Sequence, residues 1–412
     1  MKKLLGIYEK DGREFLIVQE NGKVFVEDGN ADDFENAKLI RNRDTIVKDP
    51  LESEEDVTGE GVFDFRYGPV TSGVGEAGVY HLFTYGERIL QVKIDTSYKR
   101  REIDVGMNGK SVEEGLKMAQ SICGNFGVSH ALAYARAVEN ACKIKLPFDI
   151  EVLRTVALEL ERMYNHMYVI SRLASAAAQL VLASHLQGLF EDLLRINGLF
   201  SNSRFLRDFV KIGGVSIVPD KQALKEVSQR IKKVSFEFEK LFEHSLTSRN
   251  YIDRLHSTAI LDAESAQKIG LTGPALRACN VEEDLRVNEE VYSNFIPVTD
   301  EEGDSLSRME VRAHEIMQSA KLITKMLSGF EDQENKTVFE IRDGEGLGAC
   351  ESPSGSVVYR LDITNGKIKN LYVSTPSVFG FAATAHSMRS NIFTDFPFAV
   401  ESYGVNFADA AR

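Results

Sequence analysis

The stretch Leu153-Arg154-Thr155-Val156-Ala157-Leu158-Glu159-Leu160-Glu161-Arg162-Met163-Tyr164-Asn165-His166-Met167-Tyr168-Val169-Ile170 settles the architecture. Leu153, Val156, Leu160, Met163, Met167 and Ile170 recur at intervals of three and four, which is one apolar face of a long α-helix. Helical texture continues to about Phe242, is interrupted at Gly213-Gly214, and returns at Ser305–Leu327. Upstream, Ser111-Val112-Glu113-Glu114 has the form of a capping box. That helix is expected to break at Gly124-Asn125-Phe126-Gly127, with a new one starting near Ser129. A long-helix bundle is the expected core.

Strands flank it on both sides. Leu4–Tyr8, Glu14–Val18 and Lys23–Glu27 are short β-prone runs parted by Asp11-Gly12 and Asn21-Gly22, a small meander over residues 1–40. Residues 41–60 are acidic, lack aromatics and contain Pro50, and are expected to form an unordered linker. Residues 61–100 return to strand, with Gly68-Pro69 and Gly73/Gly75 as turns and Arg88–Ile94 as a strand. Val357, Tyr359, Leu361 and Ile363 alternate with polar residues up to Asn365-Gly366, and a second strand runs through Val373 as a type I′ hairpin. The class is α+β: an N-terminal β region, a helical bundle over 101–330, and a C-terminal α+β part over 331–412 that contains a β-hairpin.

Composition narrows the function classes. The 412 residues are 43% hydrophobic and 27% charged, with 31 Gly and 9 Pro, which describes a folded chain long enough for two or three domains. An excess of 62 acidic over 49 basic residues argues against nucleic acid or an anionic lipid surface, since phosphate binding needs clustered Lys and Arg. Four cysteines exclude a disulfide scaffold. After Lys2 and Lys3 the apolar run Leu4–Tyr8 is too short for a signal-peptide core, so the expected location is cytoplasmic. Leu173–Phe190 is the longest uncharged stretch. Its Ser175, Gln179, Ser184, His185 and Gln187 mark a buried helix of the bundle rather than a membrane span.

Isolated chemical motifs are sparse. Cys123, Cys142, Cys279 and Cys350 form no CxxC, and the eight histidines form neither HxxxH nor HExxH. Gly73-Val74-Gly75-Glu76-Ala77-Gly78 has the letters of a dinucleotide fingerprint, but Val79–Thr84 after it reads as strand, so it is a turn. On the long helix Glu159 and Arg162 are an i,i+3 pair and Arg162 and His166 an i,i+4 pair, as in a structural salt bridge. Lys99-Arg100-Arg101 reads as a solvated loop.

Several segments, in order, carry a resemblance. Tyr67-Gly68-Pro69-Val70-Thr71-Ser72-Gly73 resembles the GPxHxG motif of nickel–iron hydrogenase large subunits of the membrane-bound, energy-converting group. Ile122-Cys123-Gly124-Asn125-Phe126-Gly127-Val128-Ser129-His130 is similar to that family's RICGICSxxH, and Leu158–Arg162 with His166 to its ELERxxxH helix. Gly270-Leu271-Thr272-Gly273-Pro274, Arg277-Ala278 and Asp284-Leu285-Arg286 resemble GxTGPxxRAxG…DxR. Thr375-Pro376-Ser377, Thr394-Asp395-Phe396-Pro397 and the closing Ser402–Arg412 match C-terminal landmarks, so the resemblance covers residues 62–412. The same family includes the 49-kDa subunit of respiratory complex I.

The departures from the pattern shape the function. The family's metal centre needs four thiolates; here the first is Cys123, the second position holds Phe126, the third Asn406 and the fourth Asp409. The resemblance therefore implies no nickel–iron site and no hydrogenase activity. Complex I chemistry is incomplete too: its quinone-binding tyrosine falls near Gly124 and its loop histidine on Thr71. Asp104 takes the place of the family's proton-transferring glutamate, Arg100 that of the adjacent histidine, and Ser354 that of an active-site arginine.

What the resemblance implies is a cytoplasmic, catalytic-type subunit of a membrane-bound, ion-translocating oxidoreductase complex. Cys123, Asp104, Asn406 and Asp409 are expected to line its cavity, supported by Glu161, Arg162, His166, His130 and Arg100. This chain is expected to bind no cofactor itself. An iron–sulfur cluster is expected in a small partner subunit, and antiporter-like integral membrane subunits are expected to provide the membrane contact. Two alternatives stand beside it: an inactive structural and conformational coupling subunit of such a complex, and a complex-I-like NADH/quinone oxidoreductase subunit that binds quinone.

Overall fold

The computed structural model describes residues 1–10, 12–41, 45–52, 55–70, 76–331 and 339–412. Its first three strands, β1 (Lys3–Lys10), β2 (Arg13–Glu20) and β3 (Lys23–Asp28), form the expected antiparallel meander. Asn21 and Gly22 both take positive φ, as a type I′ turn requires. Asp11 of the other turn signal and Gly73/Gly75 lie outside the described residues. The meander is not a free extension. Leu4, Leu5, Leu16, Ile17 and Val18 are buried against the C-terminal part of the chain.

A second sheet, β4 (Ile46–Val47), β5 (Val62–Tyr67), β6 (Val79–Tyr85) and β7 (Arg88–Asp95), has the order β4-β7-β6-β5 and is antiparallel throughout. The acidic stretch expected as an unordered linker thus supplies a strand. Over its described residues it lies along the body: Asp49 pairs with His386 at 2.8 Å, Glu52 with Arg389 and Asp56 with Lys93. Composition alone counts the apolar surface a segment can bury; the cations that fix this one come from elsewhere in the chain.

The bundle comprises α1 (Val112–Ala119), α2 (Gly127–Cys142), α3 (Phe148–Ala176), α4 (Leu180–Ser201), α5 (Lys221–Ser245) and α6 (Ser305–Ser328). Ser111 and Glu114 form the reciprocal capping box at α1. The central helix α3 is 29 residues long, and Leu153, Val156, Leu160, Met163, Met167 and Ile170 are all buried. Leu173–Phe190 is not one buried helix: α3 ends at Ala176, Ala178 takes φ +62°, and α4 begins with Leu180 and Val181, 67% and 73% exposed. No Gly or Pro marks that break, so hydropathy reads straight through it. No described helix is long and apolar enough to cross a membrane.

The C-terminal part adds β8 (Gly344–Ser352), β9 (Gly355–Thr364) and β10 (Lys367–Ser374), then α7 (Pro376–Ser387), α8 (Phe396–Tyr403) and α9 (Phe407–Ala411). Asn365 and Gly366 form the expected turn with positive φ. Strand β8 was not legible as a strand, because glycine at alternate positions reads as loop. A Cβ at Gly346 would fall 1.9 Å from the Ala137 carbonyl, and one at Gly348 2.2 Å from that of Ala133. Glycine is what lets β8 lie on α2. Two hydrophobic cores result, one inside the bundle and one under the meander, the second sheet and α7–α9. Cys123 and Phe126 belong to the first, Phe407 and Ala410 to the second, so the candidate site sits at their seam.

Candidate functional site

Cys123 precedes a 3-10 turn, Gly124–Phe126, that leads into α2. Its thiol is buried; burial pushes its pKa well above the ordinary range, and the Asp409 and Glu76 carboxyls push it the same way. At neutral pH it is a thiol, not a thiolate. The C-terminal loop meets this turn through Asn125, whose Nδ2 donates to Oδ1 of Asn406 at 2.7 Å. Phe126 is 1% exposed and fills the space beside them.

Asp409 lies on α9 and is fully buried. Its Oδ1 is 2.9 Å from Nε2 of His130, and its Oδ2 accepts from the Ser377 backbone N–H at 3.1 Å. Nδ1 of His130 is in turn 2.8 Å from the Tyr359 hydroxyl. With the ring in its Nε2–H form, Nε2 donates to an Asp409 carboxylate, which only accepts, and the Tyr359 hydroxyl donates to Nδ1. Burial, then the charges of Asp409 and Asp104, hold the Tyr359 hydroxyl well above its ordinary pKa, so it keeps its proton.

Glu76 was not singled out by the sequence. It approaches α9 from the loop before β6, where its Oε2 accepts from the Ala408 N–H at 3.3 Å. Burial raises its pKa, with the Ala408 and Phe407 N–H groups acting in the opposite sense. Its only sequence context is the glycine-rich Gly73–Gly78 turn, which points to backbone shape rather than to a side chain.

Asp104 and Arg100 stand apart from this cluster. Asp104, in the short helix Ile103–Gly106, lines a cavity of about 350 Å³ together with Thr45, Lys48, Arg100, Val378 and Ala410. Arg100 is exposed and bridges Glu102 at 3.3 Å. Cys123, Asn406 and Asp409 do not line that cavity, so the four residues expected around one space divide into a closed cluster and an open pocket. Ala410, next to Asp409 in sequence, is the wall between them.

The supporting residues divide as well. Glu161 accepts from the Val128 and Ser129 backbone N–H groups at 2.7 and 2.9 Å, and from the Ser129 hydroxyl. It is a carboxyl cap on the first turn of α2. Burial still pushes its pKa up to about 7. Arg162 and His166 belong to a different, fully buried ionic network. Arg162 bonds Glu159 at 3.2 Å and the carbonyls of Ser352 and Glu351. His166 does not meet Arg162 as its spacing suggested: Nε2 is 2.8 Å from Glu315, and Arg312 lies on Nδ1. Burial lowers the His166 pKa to about 3, leaving the ring neutral. Glu315 also holds Arg277 at 2.6 Å and Arg286 at 3.3 Å. Glu315 was missed; the stripe Arg308, Arg312 and Glu315 along the otherwise apolar face of α6 is the signal that marks it.

A nickel–iron centre does not fit this donor set. Phe126 offers no donor, Oδ1 of Asn406 accepts from Asn125, both Asp409 oxygens are engaged, and Cys123 is a protonated thiol. Among the described residues no group of three or more His, Cys, Asp or Glu has the geometry to hold a metal ion.

The fold is that of a hydrogenase large-subunit-like protein. The structure of a membrane-bound sulfane sulfur reductase, an archaeal respiratory membrane complex, has the same fold: TM-score 0.79 at 18% identity, over 86% of this chain and 99% of that one. The membrane-bound hydrogenase subunit alpha of Pyrococcus furiosus is 28% identical over 319 residues, 71% of this chain and 74% of that protein. The carbon monoxide-induced hydrogenase of Rhodospirillum rubrum is 25% identical over 344 residues, 81% of this chain and 95% of that one. Residues 188–340 match the family model of the respiratory-chain NADH dehydrogenase 49 kDa subunit. The family to which the ordered motifs bear a resemblance is thus the one that these comparisons also find.

Proposed function

We propose that the chain is a catalytic-type subunit of a membrane-bound, respiratory-type oxidoreductase complex related to group 4 hydrogenases and complex I, that it binds no nickel–iron centre, and that its electron acceptor occupies the cavity lined by Asp104. The observation that supports the placement is the division of the site. The loops at the family's metal positions are packed and hydrogen-bonded to each other, while the neighbouring cavity is open and lined by Asp104 among other residues. Electrons arrive from an iron–sulfur cluster in a small partner subunit, and antiporter-like membrane subunits couple their passage to ion movement. The acceptor is a quinone-like carbonyl or a sulfur–sulfur bond. Two electrons and two protons reduce the first to a diol or cleave the second to two thiols, with Asp104 handing over a proton.

The test is acceptor reduction by the purified complex, with nickel and iron measured on the same sample. Asp104→Asn lowers turnover by about 10²-fold, the usual weight of a positioned acid, while Cys123→Ala leaves it nearly unchanged. Stoichiometric nickel would overturn the metal assignment. A complex that assembles and reduces no acceptor on the panel favours the second reading, a conformational coupler, for which the continuous buried ionic network between α3 and α6 is the supporting feature.

A further inference from the structure

The seam between the two cores holds a hydrogen-bonded series that acceptor binding alone does not use. Its members come from three separate elements: Asp409 from α9, His130 from α2 and Tyr359 from β9. All three are 0% exposed, and their contacts of 2.9 and 2.8 Å are those of direct proton transfer. The charge of Asp104 acts on the Tyr359 hydroxyl, and the carboxyls of Asp409 and Glu76 act on the Cys123 thiol. Lys99 is the cation near Glu76. Every donor points the same way, from Tyr359 to the ring and from the ring to the carboxylate.

We propose that Asp409 is a proton-loading site, filled through Tyr359 and His130. A proton reaching the Tyr359 oxygen displaces the hydroxyl proton onto Nδ1, and the Nε2 proton moves to Asp409. The end state is a carboxylic acid donating to Nε2, a ring protonated at Nδ1 and an intact tyrosine; one proton has been gained and no group has rotated. The reverse sequence returns it to the Tyr359 oxygen. A carboxylate standing where the family has a thiolate therefore converts a metal-ligand position into a proton store beside the acceptor. The placement beside the acceptor rests on the cavity reading above; the loading itself does not.

The experiment uses the full chain, without acceptor, labelled with 13C-aspartate and followed by rapid infrared spectroscopy after a downward pH jump. Wild type shows the high-frequency carbonyl band of a buried aspartic acid. Asp409→Asn abolishes it, and Tyr359→Phe keeps its amplitude but delays it by about 10²-fold. A merely structural tyrosine would not separate rate from amplitude. The proposal is overturned if the band survives in Asp409→Asn, if no such band forms in wild type, or if Tyr359→Phe fills as fast as wild type. Should the assembled complex reduce no acceptor, these traces are unaffected, so the two readings fail separately.

Discussion

Glu161 and Arg162 are neighbours in sequence and end in unrelated surroundings. Successive helical residues point about 100° apart, so Glu161 faces the first turn of α2 while Arg162 faces β8. The consequence for Glu161 is measurable. Its folded pKa of about 7 lies above the ordinary 4.5, so the unfolded chain releases the proton first. The stability this provides is complete below about pH 4.5 and is lost as pH rises through 7, on the order of 3 kcal/mol across that window. Glu161→Gln retains a carbonyl acceptor for the α2 N–H groups and lacks the ionisation. Urea melts at about pH 5 and about pH 8 should show the wild-type decline reduced in the variant. An unchanged slope would mean that another group titrates there. Spacing correctly placed Glu161, Arg162 and His166 on one helix. Their partners were illegible because residues three and four apart need not face each other once a closer tertiary partner is present, as Glu315 is for His166.

At the scale of elements, the meander behaves as part of the body. Nζ of Lys3 is buried 2.6 Å from Glu283, and Gln19 donates to the other oxygen of the same carboxylate at 2.8 Å. Gln19 also accepts from Ser356, so β2 is fastened to β9 and β1 to Glu283 beneath the apolar contacts of Leu4, Leu5 and Val18. Removing one partner of a buried pair strands the other, which costs about 3–5 kcal/mol. Lys3→Met should therefore lower the stability of the whole chain by roughly that amount, and Glu283→Gln placed on top of it should restore part of the loss. Equilibrium denaturation of the two variants decides it; a loss under about 1 kcal/mol would mark the meander as an appendage. The strands themselves were readable from alternation and the Asn21-Gly22 turn. Their attachment was not, because a lysine second after the start of a chain reads as solvated. Strand β8 failed for the opposite reason: its glycines serve the close approach of α2, a demand that only the packed structure imposes.

Across the whole molecule, several of the motifs that carry the family resemblance converge on buried charge. Glu315 of α6 is the junction. It holds Arg277 and Arg286 from the segment after α5, and His166 and, at 3.6 Å, Arg162 from α3. Burial alone would raise its pKa, but Arg277 and Arg286 override this and keep the carboxylate ionised, well below the usual range. One acid thus offsets several guanidinium groups that have no access to water. Glu315→Gln keeps the shape and one acceptor but removes the charge, leaving Arg162, Arg277 and Arg286 with only Glu159, Asp284 and Glu351 to offset them. Loss of stability on the order of 3–5 kcal/mol is expected. Because the contacts join α3, α6 and the 277–286 segment, it should appear as a lower midpoint of a single unfolding transition rather than as local fraying. Denaturant melts followed by both far-ultraviolet dichroism and tyrosine fluorescence would show it. Two separated transitions in the variant would mean that the network joins domains rather than forming one cooperative core. A stability change near zero would mean that Glu159, Asp284 and Glu351, which also pair with these arginines, already balance them without it.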